Sequence, residues 1–250
     1  MEQNIEHQEK DKCWICGDMA DSGEHIIKKS DLKLLFPNTS QQSRPIYIRK
    51  NGEFNRAKTI GALKSKLFHF KAKICQQCNN HRSYDFDVTW DKLSKYLYKN
   101  WSSILENGYI NLEDIFETDI NNTMILVQLF FVKIFGCKWK EADIEFDISP
   151  LSKAILDREE QSNFYISFRN SENNYSADYC ASSDIEILTN KKTGELIYMH
   201  QFYSVGKITV DMIYVADKNI IDLNGALKPS EMSNILQLSK LNYNQNYIKG

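Results

Sequence analysis

The chain has 250 residues, of which 42% are hydrophobic, 26% charged and 12% aromatic, an ordinary composition for a globular protein. This length allows one large or two small domains with a buried core, and a formal net charge of −2 excludes a uniformly charged surface. The polar first ten residues lack the apolar core of a secretion signal. We therefore expect a cytoplasmic protein whose cysteines stay reduced.

The charges are distributed unevenly along the chain. Residues 28–82 contain 13 Lys/Arg and two acidic residues, a net charge of +11, whereas residues 101–250 contain 13 Lys/Arg and 21 acidic residues, a net charge of −8. A solvated basic face is the simpler interpretation of the first segment. Because two candidate metal-binding motifs bracket that segment, we favour a polyanionic partner.

The first predicted element is a β-hairpin in the sequence RPIYIRKNGEFNR, with Asn51-Gly52 as its two-residue turn. Large residues at helical spacing then predict a helix from Asp87 to about Trp101. A second helix is predicted over Thr123–Phe135, starting after Asn121-Asn122 and ending at Gly136. The apolar run in it is too short to span a membrane and contains Lys133, so it indicates a buried helix.

The rest of the chain predicts a third helix and then a sheet. Ser149-Pro150 is suited to open a helix that continues through Leu156. Four apolar or alternating segments (NFYISFRN, SDIEILTN, GELIYMHQFY and GKITVDMIYV) predict an antiparallel sheet, and Pro229-Ser230 predicts a last helix. The expected fold class is α+β: a small metal module at residues 1–90, then a C-terminal α+β domain at residues 91–250 with a helical middle and a mostly antiparallel β region.

Four cysteines form two CxxC motifs, Cys13/Cys16 and Cys75/Cys78, separated by 58 residues. Two such pairs supply the four thiolates of a tetrahedral structural zinc site. The alternative is four buried or redox-active cysteines. Cys137 and Cys180 have no partner spacing and are expected to be core residues.

Glu24 and His25 follow the first motif at a distance of eight residues. Neighbouring residues on a regular strand point to opposite faces, but at a strand end or a bend one side chain can bind a divalent ion while the other activates water. Phosphodiester hydrolysis requires that combination. The dipeptide alone is common, so its position between the cysteine pairs is what makes it informative.

The order CxxCG, EHII, CxxCNN resembles the zinc-anchored branch of the HNH (ββα-metal) endonuclease superfamily, and the strings ADSGEHIIKKSD and CQQCNNHRSYDFD look like a bacterial subfamily of it. The resemblance covers residues 13–90. It implies DNA phosphodiester hydrolysis with a structural Zn²⁺ and a catalytic Mg²⁺ or Mn²⁺. Glu24 then corresponds to the acidic metal ligand, His25 to the general base and Asn79 to the final metal ligand.

One position departs from the family pattern. The family's middle Asn, which orients the base, is missing from the stretch before the second CxxC. His69 lies in that stretch and is the polar residue that could take this role. An equally good alternative is that His69 is a partly buried core histidine. His81 is a further candidate ligand. For Asp87 we expect a structural role, either capping the following helix or holding Arg82.

Seven basic residues are candidates for phosphate contacts that give affinity without reading sequence: Lys28, Lys29, Lys64, Lys66, Lys71, Lys73 and Arg82. The acidic C-terminal half lacks a catalytic signature, and His200 is expected to be structural. Targeting, regulation through a protein partner and homo-oligomerisation are its expected roles, and the resemblance suggests antiphage defence or a mobile element. The alternatives are a non-catalytic zinc-binding module for nucleic acid or protein, and an RNase.

Overall fold

The computed structural model describes residues 12–43, 46–48, 58–117, 119–171, 179–216, 223 and 225–239. Within these residues the predicted α+β class is confirmed, with a helical middle and a strand-rich C-terminal region. The helices are α1 (Lys29–Leu35), α2 (Tyr84–Asn107), α3 (Ile120–Glu141) and α4 (Ser149–Asp157). The strands are β1 (Ser22–His25), β2 (Ile46–Ile48), β3 (Lys58–Ile60), β4 (His69–Ile74), β5 (Tyr109–Asn111), β6 (Phe164–Asn170), β7 (Cys180–Ser182), β8 (Glu186–Thr189), β9 (Leu196–Val205), β10 (Ile208–Val215) and β11 (Ile235–Gln237).

Every strand pairing among the described residues is antiparallel. β1 pairs with β4, β2 with β3, and β5 with β11. The large sheet has the order β6-β10-β9-β7, with β8 also on β9. β2 lies in the segment predicted to form a hairpin, but its partner β3 lies just beyond that segment, and the predicted turn, Asn51-Gly52, lies outside the described residues.

Helix α3 is the central core helix, and it is longer than predicted. It begins after Asp119, whose side chain accepts a hydrogen bond from the Asn122 amide, so Asn121-Asn122 are not the cap. Within the described part of the chain it alone is apolar and long enough to cross a membrane, but 67% of its most apolar window is buried, as in the core helix of a soluble protein.

The prediction that Gly136 ends this helix is wrong. The helix continues to Glu141, and a Cβ atom built on Gly136 would lie within 2.9 Å of three atoms of the Trp14 ring. The glycine therefore serves a close tertiary contact between α3 and the first cysteine motif, which no local pattern reveals.

The C-terminal predictions are confirmed except for the last helix. Helix α4 starts at Ser149 with proline in its first turn, and the four strand segments form β6, β8, β9 and β10. After Pro229 there is only a 3₁₀ turn, Pro229–Glu231, and the chain then forms β11. Leu236 is buried there while β11 pairs with β5, so a non-local partner overrides the local helical pattern.

The larger of two hydrophobic clusters among the described residues includes side chains from Cys13 to Leu236. The buried carboxylate of Asp31, on α1, accepts hydrogen bonds from Trp90 Nε1 (2.9 Å) on α2 and from the Tyr203 hydroxyl (2.6 Å) on β9. The N-terminal region and the large sheet are thus joined through a packed interior. A domain boundary near residue 90 stays a prediction.

Candidate metal centre and adjoining cavity

The four predicted zinc ligands lie together. The Sγ atoms of Cys13, Cys16, Cys75 and Cys78 are all within 4.8 Å of one another, and this is the sole group of three or more His, Cys, Asp or Glu side chains close enough for a metal among the described residues. In the first motif the Gly17 amide donates to Cys13 O (2.8 Å), and Gly17 takes a positive φ of 80° that favours glycine. In the second, the Cys78 amide donates to Cys75 Sγ at 3.3 Å.

This cluster fits a tetrahedral zinc ion. Four Zn–S bonds of about 2.3 Å place sulfur atoms about 3.8 Å apart, and Cys16 Sγ and Cys75 Sγ are already 3.4 Å apart. Arg82 Nη1 donates to Cys78 Sγ at 2.8 Å and supplies positive charge to a set of thiolates. Arg82 therefore faces the cysteines, not Asp87, which corrects one of the two structural roles expected for Asp87.

The cluster is attached to the core helix through Trp14. The Trp14 indole packs against Gly136, and its Nε1 donates to Cys137 Sγ at 3.5 Å. Cys137 is fully buried, as expected, whereas Cys180 is only partly buried. Helix α3 thus supports the first cysteine motif directly.

Beside the cluster, β1 and β4 form a two-stranded ribbon followed by α2. The register of the ribbon shifts between Gly23 and His25, which pair with Lys73 and His69. Such irregularities re-aim side chains. As a result both Glu24 and His25 line one cavity of about 600 Å³, although regular neighbours on a strand would diverge.

Asn79 lines the same cavity. It belongs to a π-helical segment, Gln77–Arg82, that starts within the second CxxC motif and leads into α2. Its Nδ2 donates to Ser22 Oγ (2.9 Å) and to Gly23 O (3.2 Å), both on β1. The three residues expected to carry the chemistry, Glu24, His25 and Asn79, are therefore brought together.

His25 is held as a neutral imidazole. Burial, with the neighbouring His69 and lysines, lowers the pKa of His25 to about 4. Its Nε2 is buried without a hydrogen-bond partner. A neutral imidazole that lines a cavity can act as a general base or as a metal ligand.

His69 contacts His25 but not the cavity. The two ring centroids are 3.9 Å apart, and His69 Nδ1 lies 3.1 Å from Ser65 O. His69 is not among the cavity-lining residues, and His81 is exposed outside them. The geometry allows His69 to orient the His25 ring, and its assignment as the missing middle residue stays a prediction.

Glu24 is buried and ion-paired. Its Oε2 lies 3.3 Å from Lys133 Nζ, which also contacts Asp87 Oδ2 at 3.0 Å. Burial raises the pKa of Glu24, and Lys133 opposes that effect. Lys133 and Lys28 together lower the pKa of Asp87 despite its burial. Asp87 lies inside α2, which begins at Tyr84, so it does not cap that helix, and its ionic partners are Lys28 and Lys133.

The predicted phosphate-binding residues divide into groups. Lys28 and Lys29 line the cavity, and Lys28 Nζ is bound to Asp87 at 2.9 Å. Arg82 is committed to the cysteine cluster. The remaining four are exposed and lie before or on β4: Lys64, Lys66, Lys71 and Lys73. Lys33 also lines the cavity and was not singled out from the sequence.

A hard divalent ion would find an incomplete ligand set in this cavity. The described residues offer the Glu24 carboxylate, the Asn79 amide and the His25 nitrogen, and Mg²⁺ usually completes such a set with waters and substrate phosphate. Comparison of the chain with protein-family models, curated proteins and solved structures gave no significant match.

The sequence pattern did not reveal Lys133 as a site residue. The sequence did contain an indication of a buried charge, because Lys133 lies within the most apolar run of the chain. A charged residue on a helix buried on all sides needs buried partners of opposite charge. Those partners, Glu24 and Asp87, lie far away in the sequence.

Proposed function

We propose that this protein is a metal-dependent endonuclease of the HNH type that hydrolyses DNA phosphodiester bonds. The observation that carries the proposal is the convergence of Glu24, His25 and Asn79 on one cavity beside the four-cysteine cluster. The ribbon of β1 and β4 followed by α2 supports it, since Glu24 and His25 lie on β1 and Asn79 lies on the π-helical segment between β4 and α2.

In the proposed reaction His25 accepts a proton from water while the water oxygen attacks phosphorus. The bond from phosphorus to the leaving oxygen breaks, and that oxygen takes a proton from solvent. Glu24 and Asn79 would hold a Mg²⁺ or Mn²⁺ ion, which stabilises negative charge on the phosphate oxygens. His25 is neutral at physiological pH, which is the protonation state from which an imidazole accepts a proton.

Basic residues around the cavity support a nucleic-acid substrate. Lys28, Lys29 and Lys33 line it, and exposed lysines continue along β4. Such side chains contact phosphates without reading bases, so we propose cleavage with little sequence specificity.

For the cellular role we propose antiphage defence or a mobile element.

The test is a cleavage assay on supercoiled plasmid and on RNA of matched length, with Mg²⁺, Mn²⁺ or EDTA. We expect nicked or linear plasmid with either metal and none with EDTA. Cleavage of RNA alone would make the protein an RNase. Salt-sensitive DNA binding without cleavage of either polymer would make it a non-catalytic zinc-binding module.

A further inference from the structure

Lys133 is the most deeply buried charged side chain near the cavity, with no exposed surface. It lies on α3 among apolar neighbours, where an aliphatic residue would pack at no electrostatic cost. Burying an unpaired ammonium group costs several kcal/mol. The ammonium is therefore retained for its contacts.

Two hydrogen bonds and one further ion pair hold this ammonium group. Nζ lies 3.0 Å from Asp87 Oδ2, 3.2 Å from Ser83 Oγ and 3.3 Å from Glu24 Oε2. Asp87 belongs to α2 and Ser83 immediately precedes it, while Glu24 belongs to β1. One side chain of α3 thus connects the start of α2 with the strand that carries Glu24 and His25.

The contact to Glu24 is specific to one carboxylate oxygen. Among the described residues Lys133 is the one cation ion-paired with Glu24, and it does so through Oε2. Glu24 also lines the cavity. The ion pair therefore restrains, from the core side, a carboxylate that also forms part of the cavity wall.

We infer that Lys133 is a positioning residue that orients Glu24 as a ligand for the catalytic divalent ion. This inference rests on the proposed function. Lys133 does not touch the substrate or the ion; it acts through Glu24, and Asp87 and Ser83 hold its own ammonium in place. The active site would then be completed by a helix outside residues 13–90, so the C-terminal part of the chain contributes to catalysis.

The test measures Mn²⁺ binding to the zinc-loaded full chain by isothermal titration calorimetry. Residues that orient a metal ligand typically change metal affinity by about 10- to 100-fold when replaced. We therefore expect Lys133→Met to weaken Mn²⁺ binding at least about tenfold. Calorimetry detects this without any cleavage assay, and zinc content should stay at the wild-type level.

Gln128 provides a matched control on the same helix. It is fully buried and makes three hydrogen bonds, to Gln161 N, Gln161 O and Phe164 O, away from the cavity. Gln128→Leu should lower the melting temperature as Lys133→Met does but leave Mn²⁺ affinity unchanged. An equal loss of affinity in both variants would show a merely structural role for Lys133 and overturn the inference.

A second variant decides the question if Lys133→Met does not fold. Ser83→Ala removes one of the three ammonium contacts and should weaken Mn²⁺ binding by a smaller factor. If Lys133→Met folds and its Mn²⁺ affinity is unchanged, the inference is overturned. If Lys133→Met does not fold, unchanged Mn²⁺ affinity in Ser83→Ala overturns the inference. In both cases the proposed function still stands. Absence of Mn²⁺ binding by the wild-type chain would instead overturn the proposed catalytic ion site and the inference with it.

Discussion

At the scale of single residues, buried polar groups connect the parts of this molecule. Asp31 is fully buried and its Oδ1 has no hydrogen-bond partner. Burial raises the pKa of Asp31, and hydrogen bonds from Tyr203 and Trp90 only partly offset that effect. An acid with a raised folded-state pKa binds protons more tightly when folded, so its contribution to stability is lost as the pH rises.

Replacing Asp31 by asparagine should therefore change stability in a pH-dependent way. The introduced amide could still accept the two hydrogen bonds through its oxygen, but it carries no charge. We expect the melting temperature of Asp31→Asn relative to wild type to be higher at pH 8 than at pH 4.5, measured by differential scanning fluorimetry. The exposed Glu145 gives the control, Glu145→Gln, which should show no such trend. A difference independent of pH would contradict this assignment.

At the scale of elements, the contact between α3 and the first cysteine motif reverses the stability change expected for a glycine-to-alanine substitution in a helix. Alanine is a better helix former than glycine by about 1 kcal/mol, so propensity alone predicts that Gly136→Ala stabilises α3. The Trp14 ring occupies the space that the new Cβ would need. We therefore expect Gly136→Ala to lower the melting temperature, measured by circular dichroism.

A double-mutant cycle isolates that contact. Combined with Trp14→Leu, which removes the ring, Gly136→Ala should lose most of its destabilising effect. An increase in melting temperature for Gly136→Ala with Trp14 present would contradict the packing of Trp14 on α3.

The two cysteine motifs are elements that depend on zinc for their structure. An unfolded chain has no preformed site, so the free energy of zinc binding adds to that of folding. Cys75→Ser should abolish the tightly held zinc and lower the melting temperature, whereas Cys180→Ser should retain one zinc per chain. Elemental analysis of protein purified without chelator checks both. Zinc-free wild-type protein would contradict the tetrahedral site.

Local patterns predicted three of the four helices and four of the five strands of the large sheet, and two wrong predictions share one cause. The helices α2, α3 and α4 and the strands β6, β8, β9 and β10 follow from periodicity and turn residues. Gly136 fits the local rule for a helix end, and Pro229 fits the local rule for a helix start. In the first case α3 continues through Gly136, where the distant Trp14 packs against it. In the second case the chain after Pro229 forms β11, which pairs with the distant strand β5.

The sequence motifs predicted which residues form the candidate site, but not the tertiary contacts that hold those residues in place. The spacing of the cysteines and the order of the three motifs indicated which side chains would meet. Nothing local indicated the register shift that brings Glu24 and His25 to one cavity, or the ion pair from Lys133. Those features arise from tertiary packing, which a pattern in one segment does not encode.

At the scale of the whole molecule, the continuous core bears on how the two halves cooperate. Helix α3 packs on β4, on Trp14 and on Glu24, all in the N-terminal region. A fragment ending at Lys99 would lack α3 and expose those surfaces. We expect it to be unfolded or insoluble, by circular dichroism and light scattering. A soluble, folded fragment that binds zinc would show that residues 1–90 form an independent domain.

The central claim is that phosphodiester cleavage takes place in the cavity formed by Glu24, His25 and Asn79, and His25→Ala tests it most directly. The measurement is the rate of plasmid nicking at saturating Mn²⁺, with zinc content and melting temperature recorded for the same preparations. Loss of a general base slows such reactions by about 10²- to 10⁴-fold. We predict a loss of that size for His25→Ala with zinc content unchanged, and wild-type nicking by His81→Ala. Nicking by His25→Ala at the wild-type rate would contradict the account.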